Sequence, residues 1–332
     1  MDIFEKAKKF TSCYIEHPRV KGILDELDKM RAQRCLSKDQ QCILITGEAG
    51  TGKSALIDHY KAKSSSVQLN TARMPVLLTR ISAKRDLDST LVQMLHDLDL
   101  FGTSQYKRRS FATNLEQKLV DALTRIQVEL IIINEFQEIL ENKSKQERQA
   151  IGNSLKYISE EAQVPIAFVG MPWAFQICED PQWASRLIRK RTLSHFYFKD
   201  PNERAYYLSY IKGLANFMPF HSLPDLASPK ISIPLFVATN GENRYIKKLL
   251  TEALMIALEK NSETLLLSHL SSAYSLMVPE KPNVFEQPIE QLKLVEVEKE
   301  SRININTHGV DNFTIGPQYS KPMALRELLS LK

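Results

Sequence analysis

Residues 47 to 54, Gly47-Glu48-Ala49-Gly50-Thr51-Gly52-Lys53-Ser54, set glycines, a lysine and a hydroxyl directly behind the apolar run Cys42-Ile43-Leu44-Ile45. Glycines in such a loop let backbone N–H groups converge on phosphate oxygens without side-chain clashes. A helix that starts there adds unpaired donors and its positive end. In this arrangement Lys53 reaches the β and γ phosphates and the Ser54 hydroxyl ligates Mg²⁺. The eight residues from Gly47 to Ser54 therefore imply a site for a nucleoside triphosphate on the end of a buried strand.

A second group completes the chemistry. The apolar run Leu130-Ile131-Ile132-Ile133 ends in Asn134-Glu135. An acid at such a strand tip orients the shell of the metal, and a following glutamate polarises the attacking water. Asn134 keeps a carbonyl but lacks the negative charge a hard cation prefers, whereas Glu135 retains the charge that acts on water. The expectation is nucleotide binding with slow hydrolysis. The alternatives are a dead site and ordinary hydrolysis, with Asn134 a tolerated change and Ser54 and the phosphates supplying the inner contacts of the ion.

Two arginine groups extend the candidate site. Arg186 closes Asp180-Pro181-Gln182-Trp183-Ala184-Ser185-Arg186, with Arg189, Lys190 and Arg191 just beyond. An arginine there either points at a neighbouring subunit's γ phosphate or belongs to a solvated basic face. Gly241-Glu242-Asn243-Arg244 opens a helix. Arg244 either bends back onto the phosphates of its own subunit or forms a surface ion pair. For nucleic acid, the cationic candidates are Arg80, Lys84 and Arg85 after the second strand and Lys107-Arg108-Arg109 ahead of a helix. Neither group forms a base-reading helix, so the choice is between sequence-independent backbone contact and solvated loop charge.

These residues need a scaffold. Apolar runs at 42–46, 76–80, 130–133 and 166–170 alternate with helical sequence near 53–63, 87–100, 111–127, 146–161 and 173–190, and a short apolar run follows at 195–198. Strands that are apolar throughout, separated by helices, indicate a parallel sheet covered on both faces. Residues 1–36 read as helical, with Ile23, Leu24, Leu27 and Met30 on one sticky face. From Pro201 the pattern becomes helical, near 203–217, 242–259 and 264–276. From Pro279 onward prolines and polar residues read as a mostly extended tail, whose end at 324–329 is able to form a helix against a partner. The expected divisions are an N-terminal helical segment at 1–36, a nucleotide-binding core at 37–200, a helical lid at 201–278 and a partner-binding or flexible tail at 279–332.

At 332 residues the chain is long enough for one large domain with appendages or two modest ones, and its net charge of +5 permits nucleic acid without demanding it. No apolar run of about 18 residues offers a membrane helix, and the N-terminus lacks a signal-peptide layout. Cysteines 13, 35, 42 and 178 form no Cys-x-x-Cys pair, which argues against a zinc site or disulfide framework and for a cytoplasmic setting.

With these residues in view, the sequence resembles transposon-encoded AAA+ regulators of the TnsC and TniB type, over roughly residues 15–275. The resemblance rests on the phosphate loop, the Ile-Ile-Ile-x-Glu strand tip, and Val169-Gly170 followed by Asp180-Pro181-Gln182-x-x-Ser185-Arg186. It also rests on Gly241-Glu242-x-x-x-Ile246-x-x-Leu249-Leu250. It implies an α/β AAA+ P-loop NTPase: a parallel sheet flanked by helices, a small helical lid and an extended C-terminal tail. It further implies ATP and Mg²⁺ as ligands, and rings or filaments, hexameric or heptameric, on double-stranded DNA. Such proteins hand a target to a transposase, in several systems through a TniQ-type protein that is sometimes attached to an RNA-guided complex, and the short chain resembles the members of such RNA-guided elements. Lys53, Ser54 and Glu135 match the family's nucleotide residues, and Arg186 and Arg244 take finger and sensor positions. Asn134 departs from the pattern, as does Phe168-Val169-Gly170, where no polar sensor ends the fourth strand. A nucleotide-gated protein switch without DNA contact and an origin-recognition or helicase-loading ATPase are the alternatives.

Overall fold

Alternation along five short strands decides how the sheet is covered. The computed structural model describes residues 3–66, 73–98, 115–304 and 314–325. Strands β1 (Ile43–Gly47), β2 (Val76–Arg80), β3 (Leu130–Asn134), β4 (Ile166–Gly170) and β5 (Arg189–Leu193) pair in parallel in the order β2-β3-β4-β1-β5. Successive side chains point to opposite faces. Leu44, Leu77, Ile131, Ile133 and Phe168 therefore join one core, and Ile43, Ile45, Leu130, Ile132 and Val169 another.

The first core is closed by α4 (Leu87–Asp97), α5 (Leu115–Ile126) and α7 (Lys145–Ala162), which bring Leu91, Leu119 and Leu155. The second is closed by α2 (Pro18–Gln33) and α3 (Lys53–Ser66), through Leu24, Leu27, Leu56 and Ile57. Short α6 (Gln137–Leu140) follows β3, and a 3-10 stretch at Pro172–Glu179 leads into α8 (Pro181–Arg186). Asp180 accepts hydrogen bonds from the backbone N–H groups of Gln182 and Trp183, capping α8.

Helical pattern extends to 190 in the sequence, but the chain leaves α8 at Arg186 and forms β5 from Arg189, ahead of the apolar run at 195–198. An edge strand has one solvent side, and charges there discourage pairing with other chains, so Arg189-Lys190-Arg191 suits the position. Phe196 and Phe198 are buried instead in the helical lid.

The lid consists of α9 (Pro201–Ala215), α10 (Pro229–Thr239), α11 (Asn243–Glu259) and α12 (Leu267–Met277). The sequence pattern gave no sign of α10, because Pro234 lies inside it and lacks a backbone donor. Complete burial of Leu235 and Phe236 outweighs that loss.

Two distant segments join the lid core. Helix α1 (Ile3–Thr11) inserts Ala7 and Phe10, so the N-terminal helices divide between lid and sheet. The segment after Pro279 is extended in conformation but folds back, burying Phe285, Leu292, Leu294 and Leu325 in the same core. It forms short antiparallel pairs: β6 (Lys293–Leu294) with β11 (Met323–Ala324), β7 (Val297–Lys299) with β10 (Gln318–Tyr319), and β8 (Arg302–Ile303) with β9 (Thr314–Ile315). Of the helix expected at 324–329, Ala324 is in β11, Leu325 is helical and residues 326–329 lie outside the described residues. Among the described residues no helix is long and apolar enough to cross a membrane.

Candidate nucleotide site

The loop between β1 and α3 lies at the C-terminal end of the sheet, on the seam between core and lid. Gly50 and Gly52 adopt φ of +81° and +96°, a region L side chains rarely enter, which is what lets the loop turn at these two positions. The loop, Glu135, Arg244 and the turn between α1 and α2 line one cavity of about 960 Å³. Lys53 is only 6% exposed, and its Nζ donates to the carbonyls of Gly47 and Glu48 at 2.7 and 2.8 Å. Burial pushes its ammonium down to about 8, opposed by the carboxylates of Glu135 and Glu48 and reinforced by Arg244. An anion in the cavity answers the charge that this burial disfavours. Ser54, exposed at the start of α3, lines the same cavity.

The lid holds the loop directly. The backbone N–H of Arg244 donates to Gly50 O at 3.0 Å, and Asn243 Nδ2 donates to Thr51 O at 3.0 Å. The C-terminal segment holds the loop as well: Ser301 donates through both N and Oγ to the buried carboxylate of Glu48. The far wall is apolar and aromatic, with Tyr14, Ile15 and Val20 before and within α2 and Tyr210 and Leu214 on α9. His17 sits there with burial and Arg19 pushing its imidazole down to about 4. Such a wall suits a flat heterocycle beside a phosphate loop. Composition and motifs did not single it out, because its residues come from segments separated by about 190 positions.

Glu135 follows β3 at φ +55°, with its backbone N–H donating to Asn134 Oδ1 at 3.0 Å. A non-glycine residue held in this region costs of order 1–3 kcal/mol and needs support from its surroundings. Asn134 is not among the cavity-lining residues; it borders a small separate hollow with Arg80 and Asp97. Gln137, which carried no motif signal, donates to Glu135 Oε2 at 2.9 Å.

The arginine candidates separate. Arg244 is at the cavity, whereas Arg186 and Arg189 lie at the other end of the sheet, where Arg186 O accepts from Cys42 N ahead of β1. The Arg186 guanidinium pairs with Glu160 and with Asp39, and Arg189 donates to Gln41 Oε1 at 2.7 Å. Neither belongs to the site of its own chain. Arg80 is the last residue of β2 and Arg85 lies beyond it, on the loop's side of the sheet, facing Glu138 at 3.6 Å and Glu141 at 3.0 Å respectively. Lys84 is exposed, with no ion pair among the described residues. Lys107, Arg108 and Arg109 lie outside the described residues.

A phosphate loop on a parallel sheet in this order, met by a helical lid that bonds to it, defines an AAA+ ATPase. Solved structures carry the same fold. The Aeropyrum pernix ORC2 protein (ADPNP-ADP complexes) matches at a TM-score of 0.59 with 18% identity, over 81% of this chain and 71% of that one. Cdc6p from Pyrobaculum aerophilum matches at 0.57 and 12%, over 85% and 74%. The Aeropyrum pernix ORC1 protein in complex with DNA matches at 0.55 and 15%, over 80% and 67%. No curated protein sequence matches the chain. The profile of the bacterial TniB protein matches residues 9–197, more than half of the chain, and the protein belongs to that family.

Proposed function

We propose that this AAA+ ATPase is an ATP-dependent, double-stranded-DNA-binding regulator of transposition that assembles into rings or filaments and links target selection to a transposase. The observation that carries the reading is the pair of lid–loop hydrogen bonds from Arg244 N and Asn243 Nδ2. A nucleotide in that seam touches both lobes, so its state biases their relative arrangement. An assembly switch needs such a bias.

In this reading the loop N–H groups and Lys53 hold the phosphates, with Arg244 on the same γ-phosphate side. Magnesium takes few protein oxygens and keeps phosphate oxygens and waters. Ser54, lining the cavity near Glu135, fits such an ion as its protein ligand. Bound there, Mg²⁺ supplies charge neutralisation at the phosphates. Water attacks the γ phosphorus, its proton passes to the Glu135 carboxylate, and the bond to the β–γ bridging oxygen breaks to release ADP. Asn134 lacks a charge, which supports slow, timer-like turnover. Arg186 or Arg189, remote from its own loop, serves only a neighbour's nucleotide. Arg80, Lys84 and Arg85 carry backbone contacts to DNA, and repetition around an oligomer makes weak contacts add up. The C-terminal segment and a TniQ-type protein, with or without an RNA-guided complex, account for partner contact.

The test is imaging and sedimentation of the protein with a slowly hydrolysed ATP analogue, with and without duplex DNA. Rings or filaments that need both support the reading, and assembly indifferent to duplex refutes it. Lys84→Glu with Arg85→Glu is expected to abolish duplex association and retain nucleotide binding. Unchanged duplex binding removes those residues from the interface.

A further inference from the structure

Gln137 is 4% exposed and sits at the tip of the sheet between β3 and β4. A buried primary amide is costly unless both ends are bonded. Here both are: Oε1 accepts from the backbone N–H of Met171 at 2.9 Å, and Nε2 donates to Glu135 Oε2 at 2.9 Å. Amide orientation is often ambiguous, but a backbone N–H only donates. The Met171 bond therefore fixes the oxygen end, and the donor end must face Glu135.

The surroundings are shaped for this side chain. A Cβ on Gly170 would lie 2.4 Å from Gln137 Oε1, so the glycine that ends β4 leaves room for the amide. Where β4 offers no polar side chain of its own, Gln137 brings one from the neighbouring element. Met171 also approaches Lys53, with Sδ 4.0 Å from Nζ. The amide thus ties Glu135 to the segment that touches the phosphate-loop lysine. One carboxylate oxygen is held and the other is left to accept from a water.

We propose that Gln137 is a positioning residue for hydrolysis: it aims the Glu135 carboxylate by donating to Oε2 while anchored on Met171 N. The proposal rests on the reading of Glu135 as the residue that takes the water's proton. Gln137→Glu keeps the shape and the acceptor for Met171 N but loses the donor and sets two carboxylates face to face. A merely structural role, bonding Met171, would survive it.

Single-turnover ATP hydrolysis and binding of a fluorescent ATP analogue are to be measured on the full chain for wild type, Gln137→Glu, Gln137→Met and Glu135→Gln. Rates are normalised to the fraction that binds the analogue, so partial misfolding does not decide the outcome. We expect the hydrolysis rate of both Gln137 variants to fall at least about tenfold, with analogue affinity within about twofold of wild type. If Glu135→Gln is inactive while Gln137→Glu hydrolyses within about twofold of wild type, the positioning role is wrong and Glu135 stands. If Glu135→Gln hydrolyses like wild type, the reading of Glu135 fails and takes the proposal with it.

Discussion

Replacing Ser301 with alanine removes one of the two hydrogen bonds by which the C-terminal segment grips the phosphate loop. The acceptor, Glu48, is 4% exposed, and its two oxygens take Ser301 N and Ser301 Oγ separately. A hydrogen bond to a charged group contributes about 1.5–3 kcal/mol, which is roughly 10- to 150-fold in an equilibrium constant. Ser301→Ala keeps the backbone donor, so its expected cost is one such bond. The clean measurement is a double-mutant cycle in urea unfolding with Ser301→Ala, Glu48→Ala and the double variant. Loss of the bond from Ser301 N is common to both Glu48 variants and cancels, leaving the coupling of the hydroxyl to the carboxylate. A coupling within about 0.3–0.5 kcal/mol of zero, the range of independent sites, refutes the contact. Because Glu48 belongs to the loop, Ser301→Ala should also weaken ATP-analogue binding. Unchanged affinity beside lost stability would confine the strap to supporting the fold.

Three further outcomes are expected. The His17 imidazole is held neutral, down to about 4 against an ordinary 6.5, by burial and then Arg19. The unfolded chain binds the proton more readily, so stability should be intact above pH 6.5 and fall as pH drops to about 4, by up to about 3 kcal/mol. His17→Phe should flatten that dependence in unfolding curves, and an unaltered pH profile would dismiss the assignment. Gly50→Ala puts a Cβ 2.1 Å from Glu242 Oε1 at φ +81°. Left-handed backbone costs an L side chain about 1–2 kcal/mol before that clash is counted, so analogue affinity should drop at least about tenfold by titration. Asn134→Asp keeps the acceptor for Glu135 N and adds charge. Single-turnover hydrolysis should speed up several-fold, and an unchanged rate would show that Asn134 is not what slows the reaction.

The contrast between local and distant chemistry runs through the molecule. The phosphate loop, Glu135 and the Gly241–Arg244 helix start are contiguous stretches, and strand, turn and helix signals beside them fix their geometry. Four of the five parallel strands are legible for the same reason, since buried strands are apolar throughout. Edge strand β5 is not, because its solvent-facing residues are basic and carry no such signature. Helix α10 hides behind Pro234, where burial decided against local preference.

Sequence by itself thus determined that the chain binds a nucleoside triphosphate on a parallel α/β core with a helical lid. Tertiary structure alone decided that α1 belongs to the lid, that Tyr14 and Tyr210 share a cavity wall, that Gln137 holds Glu135, and that Ser301 holds Glu48. A phosphate loop works through backbone N–H groups a few residues apart, so its spacing is written in the chain. A hydrogen bond between Glu48 and Ser301 joins positions 253 residues apart. Nothing in the spacing of two such residues records that folding makes them neighbours.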